Sequence, residues 1–339
     1  MNSVNDSNTL AATLRTFLGE FLPHQRACSV NTIRSYRDSL KLLLQFAAGK
    51  RGRVSELSLA ALSVPTIAAF LDSLEERRHN AATTRNARLA AIHSFFEYLC
   101  REHPEHLQQA QRVLSIPFKR SAHRVIEYLE ADELRAVLQL INQDTAAGRR
   151  DYLLLTLMFN TGARVQEIVS LKASDFRLVP PPSVTFFGKG GKQRICPLWP
   201  ETARLLKRYF DECGLQPHEW QPLFRNQHGT ALTRFGARLI LQRCIQRAVT
   251  LCPALKSRRI HPHSLRHSTA IYLLKSGVDL STIAHWLGHA SIYTTHKYVS
   301  IDLDAKRAAI AKAKPITTKS SRSSTWKTNE ELLQWLESI

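Results

Sequence analysis

The chain has 339 residues, 44% of them hydrophobic, and 47 Lys+Arg against 28 Asp+Glu give a formal net charge of +19. That length allows about two domains with packed cores, and the charge favours a polyanionic partner, nucleic acid before membrane. No apolar run approaches the ~20 residues of a spanning helix, MNSVNDSNTL lacks the marks of a signal peptide, and six scattered cysteines without a CxxC pair argue against a zinc module or a disulfide framework. The expectation is a cytoplasmic, thiol-reduced protein with no membrane segment.

In chain order, Leu10, Leu14, Phe17, Leu18 and Phe21 line one face of a first helix over residues 10–22. Ile33, Tyr36, Leu40, Leu43 and Leu44 predict a second, with Asn31 or Thr32 as its cap. Ser63-Val64-Pro65 opens a third, and a fourth begins near Thr83. Four helices with short connections make a small bundle. Arg34, Arg37, Lys41, Arg85 and Arg88 on its helices are candidates for phosphate contacts, although a solvated face is the simpler use of any one of them. The polar, basic stretch PFKRSAHR reads as an interdomain linker.

Helical pattern resumes after Tyr128, first from Ala131 and then through the apolar run from Arg150 to Thr161, which ends at Gly162. TGARVQEIVSLKASDF reads as a further helix. Two β-prone runs, from Ser183 and from Arg194, flank the Gly-rich GKGGKQ and predict a hairpin. Helices follow over 201–213, 234–249 and 303–312. Thr328 and Glu331 form a capping box for a short terminal helix bearing Leu332, Leu333, Trp335 and Leu336. The fold class is mainly α (α+β): a helical N-terminal domain (1–116), a linker (117–126), a mostly helical domain with a small hairpin (127–314), and a tail (315–339).

The stretch from His261 to Ser300 concentrates His263, Arg266, His289 and Tyr298. A phenol can serve as a nucleophile once its proton is removed. An arginine fork holds phosphate oxygens, and histidine moves protons near neutral pH. Together these can attack a phosphodiester without a metal or cofactor. His261, His263 and His267 imitate a metal cluster, but Pro262 interrupts the first pair and no carboxylate or Cys completes a site.

Four boxes in order resemble the tyrosine recombinase family, which includes the phage integrases and the Xer-like enzymes. TGARVQEI matches the segment bearing that family's first catalytic arginine, here Arg164. GKGGKQRICPL matches its β-hairpin and implies Lys189 as the catalytic lysine, with Lys192 as rival and phosphate contact. HPHSLRH matches the HxxR box, implying His263 and Arg266, and WLGHASIYTTHKY implies His289 and the nucleophile Tyr298. Glu167, one turn after Arg164, could orient its guanidinium. Tyr293 lies on another helical face. His267 is read as facing away from His263 and satisfying a buried hydrogen bond, and His261, His285 and His296 match no family role.

The resemblance implies site-specific DNA recombination, in integration, excision or transposition, through a 3′-phosphotyrosyl intermediate. It also implies double-stranded DNA as partner and a homotetramer on two sites, with the terminal helix docking on a neighbouring protomer. Two alternatives stay open: a type IB topoisomerase-like enzyme that rejoins the same strand, and a non-catalytic regulator using helix-turn-helix likeness in LSTIAHWLGHASIYTTHKY to place Ser291 to Lys297 in a major groove.

Overall fold

A computed structural model of the chain describes residues 3–49, 52–120, 126–188, 193–216, 219–289 and 291–299. It divides into two compact units, Met1–Arg124 and Val125–Ile339.

In the first unit, α1 (Ser3–Thr16) runs on into a π-helical segment, Phe17–Gln25. The wider turn brings Phe17 and Phe21 onto α4 (Ala82–Glu102), where their rings lie 5.5 Å from Phe95 and 4.7 Å from Tyr98. The cap of α2 (Val30–Ala48) is Ser29, whose Oγ accepts from Thr32 N–H at 3.3 Å, rather than Asn31 or Thr32. A capping oxygen must precede the first helical residue, and Asn31 and Thr32 are already inside the first turn. Helix α3 (Val64–Glu76) starts as its Ser-Val-Pro signal predicts. Beyond the four expected helices there is a fifth, α5 (Leu107–Leu114), which buries only Ala110 and Val113, too few apolar positions to declare a period. The core joins Leu43, Leu71, Leu89, Phe96 and Leu99.

Arg34, Arg37 and Lys41 lie on the solvent face of α2, with Arg37 paired to Asp38 at 2.7 Å. Arg85 does not belong with them. It is buried, lies 4.0 Å from Glu75, and donates to the Pro117 carbonyl at 3.4 Å. It ties the chain after α5 to α4 and is withdrawn as a DNA contact, because its guanidinium is already engaged by Glu75 and by the Pro117 carbonyl. Arg88 is half-buried.

The second unit is built around α7 (Ala146–Thr161), whose Leu153, Leu154, Leu155, Leu157 and Met158 are all buried. Around it lie α6 (Ala131–Gln139), α8 (Val165–Val169), a sheet of β1 (Phe176–Arg177), β2 (Ser183–Phe187) and β3 (Gln193–Pro197), α9 (Pro200–Cys213), α10 (Arg234–Ala248), α11 (Pro262–Lys275), α12 (Leu280–Leu287) and α13 (Tyr293–Val299). The strands are antiparallel in the order β1-β2-β3, with Phe186 opposite Arg194.

The helix expected over TGARVQEIVSLKASDF stops at Val169. Asp175 takes the Lys172 N–H at 2.9 Å and the Leu171 carbonyl accepts from Leu223 N–H at 2.8 Å, so the backbone has better partners than a helix offers. Phe176 then begins β1. The helices expected over 303–312 and 328–339, and the GKGGKQ turn at 189–192, lie outside the described residues. No helix of the described residues is long and apolar enough to cross a membrane.

Candidate active site

Helix α7 ends at Gly162, whose φ is +56°. A Cβ there would stand 2.4 Å from Leu287 Cδ2 and 3.2 Å from Thr269 Cγ2. The turn therefore requires glycine for conformation and for space. It aims the Gly162 carbonyl at α11, where Arg266 Nη1 donates to it at 2.7 Å. Arg266 is 2% exposed, and its Nη2 is buried with no hydrogen-bond partner among the described residues. A buried guanidinium nitrogen left unpaired is costly, and an anion arriving at this place would satisfy it.

Arg164 caps α8 two residues after that turn. Glu167 accepts from its backbone N–H at 2.8 Å and from its Nη1 at 2.9 Å. The same carboxylate is held by Arg194 of β3, with Nη1 at 3.1 Å and Nη2 at 2.7 Å. Arg194 also lies over the Phe186 ring, 4.5 Å from its centroid. The chain Arg194–Glu167–Arg164 thus fixes the start of α8. Burial alone would raise the Glu167 carboxyl, but the bonds from Arg194 and Arg164 outweigh it and hold the group below the ordinary carboxylate range. Gly288, at φ +67°, closes α12 and leaves room for Arg194, whose Cδ a Cβ would meet at 2.9 Å.

Helix α11 begins with His261 as its cap, Nδ1 accepting from Ser264 N–H at 3.2 Å. That gives His261 a structural use the sequence does not announce. His263 and His267 are one turn apart on the same face, their ring centroids 4.6 Å apart. The expectation that His267 faces away from His263 is corrected: positions four apart on a helix share a face. His267 does make a buried hydrogen bond, and its partner is the Tyr298 hydroxyl, 2.8 Å from His267 Nδ1. His289 Nδ1 lies 2.8 Å from Thr295 Oγ1. Tyr298 is 1% exposed while Tyr293, five residues earlier on α13, is 83% exposed.

Arg164, His263, Arg266, His289 and Tyr298 therefore come together from the α7–α8 turn and from α11 to α13. Lys189 and Lys192 lie outside the described residues. Sequence reasoning missed Arg194, Thr295 and the pair Arg234 and Arg238. The last two line a cavity of about 410 Å³ with Val165, His261 and His263, and neither has an acidic partner among the described residues.

The sequence model of the Phage integrase family matches residues 127–304, and that of the phage integrase N-terminal SAM-like domain matches residues 16–103. A Sinorhizobium fredii protein named integrase/recombinase y4rC is 39% identical over 98% of both chains. The tyrosine recombinase XerD of Oceanobacillus iheyensis is 33% identical over 83% of this chain and 91% of its own. This chain belongs to the phage integrase family. Among solved structures, the XerH site-specific recombinase bound to its difH substrate, in a pre-cleavage complex, matches with a TM-score of 0.64 and 25% identity over 92% of this chain and 91% of that one. The family and these relatives make the protein a tyrosine site-specific recombinase, and the topoisomerase and regulator readings are not favoured.

The integrase-family site is strongly electropositive. Burial, then the charge of Arg164, brings Arg266 down to about 10, so it stays charged at neutral pH. Crowding by protein, then the charges of Arg266 and Lys297, pulls His263 and His289 to about 4, although His263 is an exposed residue. Burial and Lys297 bring His267 to about 3, and burial pushes the Tyr298 phenol up to about 12. At pH 7 all three imidazoles are neutral and the phenol keeps its proton.

This has a consequence for the integrase-family protein in the absence of DNA. The unfolded chain protonates these histidines near 6.5 and the folded chain does not, so protons bind preferentially to the unfolded state as pH falls. The contribution is fully present above about 6.5 and is lost towards pH 4, at ~1.4 kcal/mol per pH unit for buried His267. Thermal melts should show Tm falling through that window, and His267→Gln should flatten the slope. A Tm independent of pH between 6.5 and 4 would contradict these environments.

Proposed function

We propose that the protein cleaves and exchanges DNA strands with Tyr298 as nucleophile. The Tyr298 oxygen attacks the scissile phosphorus and forms a 3′-phosphotyrosyl bond as the bond to the 5′ oxygen breaks. His263, neutral at working pH, takes the phenol proton. Arg164 and Arg266 hold the non-bridging oxygens, His289 adds a hydrogen bond, and Lys189 protonates the leaving 5′ oxygen. A 5′ hydroxyl from a partner duplex reverses the step. The covalent link conserves the bond energy, so neither cofactor nor metal is called for.

The observation that carries this reading is Arg266, buried with Nη2 unpaired beside Arg164, two neutral imidazoles and a phenol. Such a concentration of buried positive charge is suited to an anionic group such as phosphate.

In the same reading the substrate is double-stranded DNA, acted on in the cytoplasm by four protomers on two sites. Residues 1–116 form a DNA-binding domain with Arg34, Arg37, Lys41 and Arg88 against phosphates. Residues 117–126 link it to the catalytic domain, 127–314, in which Lys192, Arg234 and Arg238 extend the contact. The tail, 315–339, docks on a neighbour.

The test is strand exchange between two duplexes cut from the DNA flanking the coding region, one of them end-labelled. Label should appear in a joint product of new length, and nicking and resealing confined to one duplex would favour the topoisomerase reading.

A further inference from the structure

Among the described residues, side-chain hydrogen bonds join helix α13 to two histidines of the site: Thr295 to His289 and Tyr298 to His267. The second deserves the closer reading because of where it puts the nucleophile. Tyr298 packs with Ile271, Leu273, Ile283 and Leu287 in an apolar cluster between α11 and α12. At 1% exposure the side chain is closed off from solvent. His267 is itself 8% exposed and neutral, and with its proton on Nε2 its Nδ1 accepts from the phenol. The phenol carries the one proton that the pair needs for this bond, and a buried O–H without an acceptor is costly. Apolar packing alone would not secure this pose, since a phenol hydroxyl is drawn towards water unless a partner holds it.

We propose that His267 is a positioning residue that holds the Tyr298 phenol in a buried resting place, so that the protein meets DNA with its nucleophile withheld. The inference rests on the reading of Tyr298 as nucleophile. His267 touches neither the phosphate nor the leaving group. It acts through Tyr298, and assembly of the reacting set requires this bond to break and the phenol to move towards Arg266.

The full-length protein without DNA is treated with tetranitromethane, and nitration of each tyrosine is followed by peptide mass mapping. Exposed Tyr293 is the internal standard, and buried Tyr98 and Tyr209 report on folding. In the wild type Tyr298 should react at least ~10-fold more slowly than Tyr293. In His267→Leu, which removes the acceptor, Tyr298 should approach the Tyr293 rate while Tyr98 and Tyr209 stay protected. His267→Asn places an amide oxygen near the position of Nδ1 and should restore protection, whereas His267→Gln, reaching towards Nε2, should not. Equal protection of Tyr298 in the wild type and His267→Leu would overturn the proposal. If Tyr98 and Tyr209 also react in His267→Leu, the Asn and Gln variants decide, and equal protection in those two overturns it.

On a nicked suicide duplex at saturating protein, His267→Leu should form the covalent adduct about fivefold faster, the gain of one lost hydrogen bond. An unchanged or slower rate overturns the withholding role. A wild type that forms no adduct at all would instead remove the nucleophile reading, and the nitration results would stand apart from it.

Discussion

Arg266→Ala is expected to reduce single-turnover strand cleavage by roughly 10³-fold, the loss seen when one preorganised donor to a developing oxyanion is removed. Arg266 differs from a surface phosphate contact because it is already desolvated. Its charge is held among buried groups, one amino group is fixed on the Gly162 carbonyl, and the other has no partner among the described residues. The cost of desolvating it is met during folding. Arg266→Lys keeps the charge but cannot bond Gly162 and a phosphate oxygen together, so it should recover only part of the activity. Weak DNA binding at low salt should persist in both variants, because most of the positive charge lies elsewhere. Cleavage by Arg266→Ala at near wild-type rates would remove Arg266 from the site.

Glu167→Gln is the second large effect, and it falls on stability as well as rate. The carboxylate holds Arg194 through two bonds and Arg164 through two more, and it is largely buried. An amide can accept at one oxygen only, which leaves the Arg194 charge partly buried without its counterion. Breaking one side of such a pair costs about 3 kcal/mol. Arg164 also loses the group that orients it, and cleavage should fall by roughly 10²-fold through misplacement alone. Urea unfolding and single-turnover cleavage measure the two parts. The double variant Glu167→Gln/Arg194→Gln should recover stability but not rate, because it removes the uncompensated charge and still leaves Arg164 unsupported.

Much of this site is legible in the sequence, and the parts that are not have identifiable causes. The boxes around Arg164, His263, Arg266, His289 and Tyr298 can be read because each residue sits in a short local context of turn or helix that the sequence itself displays. Arg194 escapes that reading. Its importance comes from strand alternation, which turns it inward with Cys196, and from Glu167 approaching across 27 residues. His267 was open to a better reading. Its spacing of four from His263 places both rings on one face, whereas its adjacency to Arg266 suggests the opposite. The hydrogen bond to Tyr298 spans 31 residues and no pattern announces it.

The fold divides in the same way. The long apolar α7 and the Ser-Val-Pro start of α3 follow from propensity and period. The early end of α8 follows from Asp175 and Leu223, whose partners the local sequence does not reveal. Arg85 shows the limit of reading charge as surface: its neighbours in the chain are polar, yet Glu75 and the Pro117 carbonyl draw it inside.

The central claim is that Tyr298 becomes joined to DNA. The most direct measurement traps the protein on a nicked suicide duplex, digests the covalent complex, and locates the nucleotide-bearing peptide by mass. The account predicts a covalent complex with the nucleotides on Tyr298 and none from Tyr298→Phe. An adduct on Tyr293, or one that survives Tyr298→Phe, would contradict it.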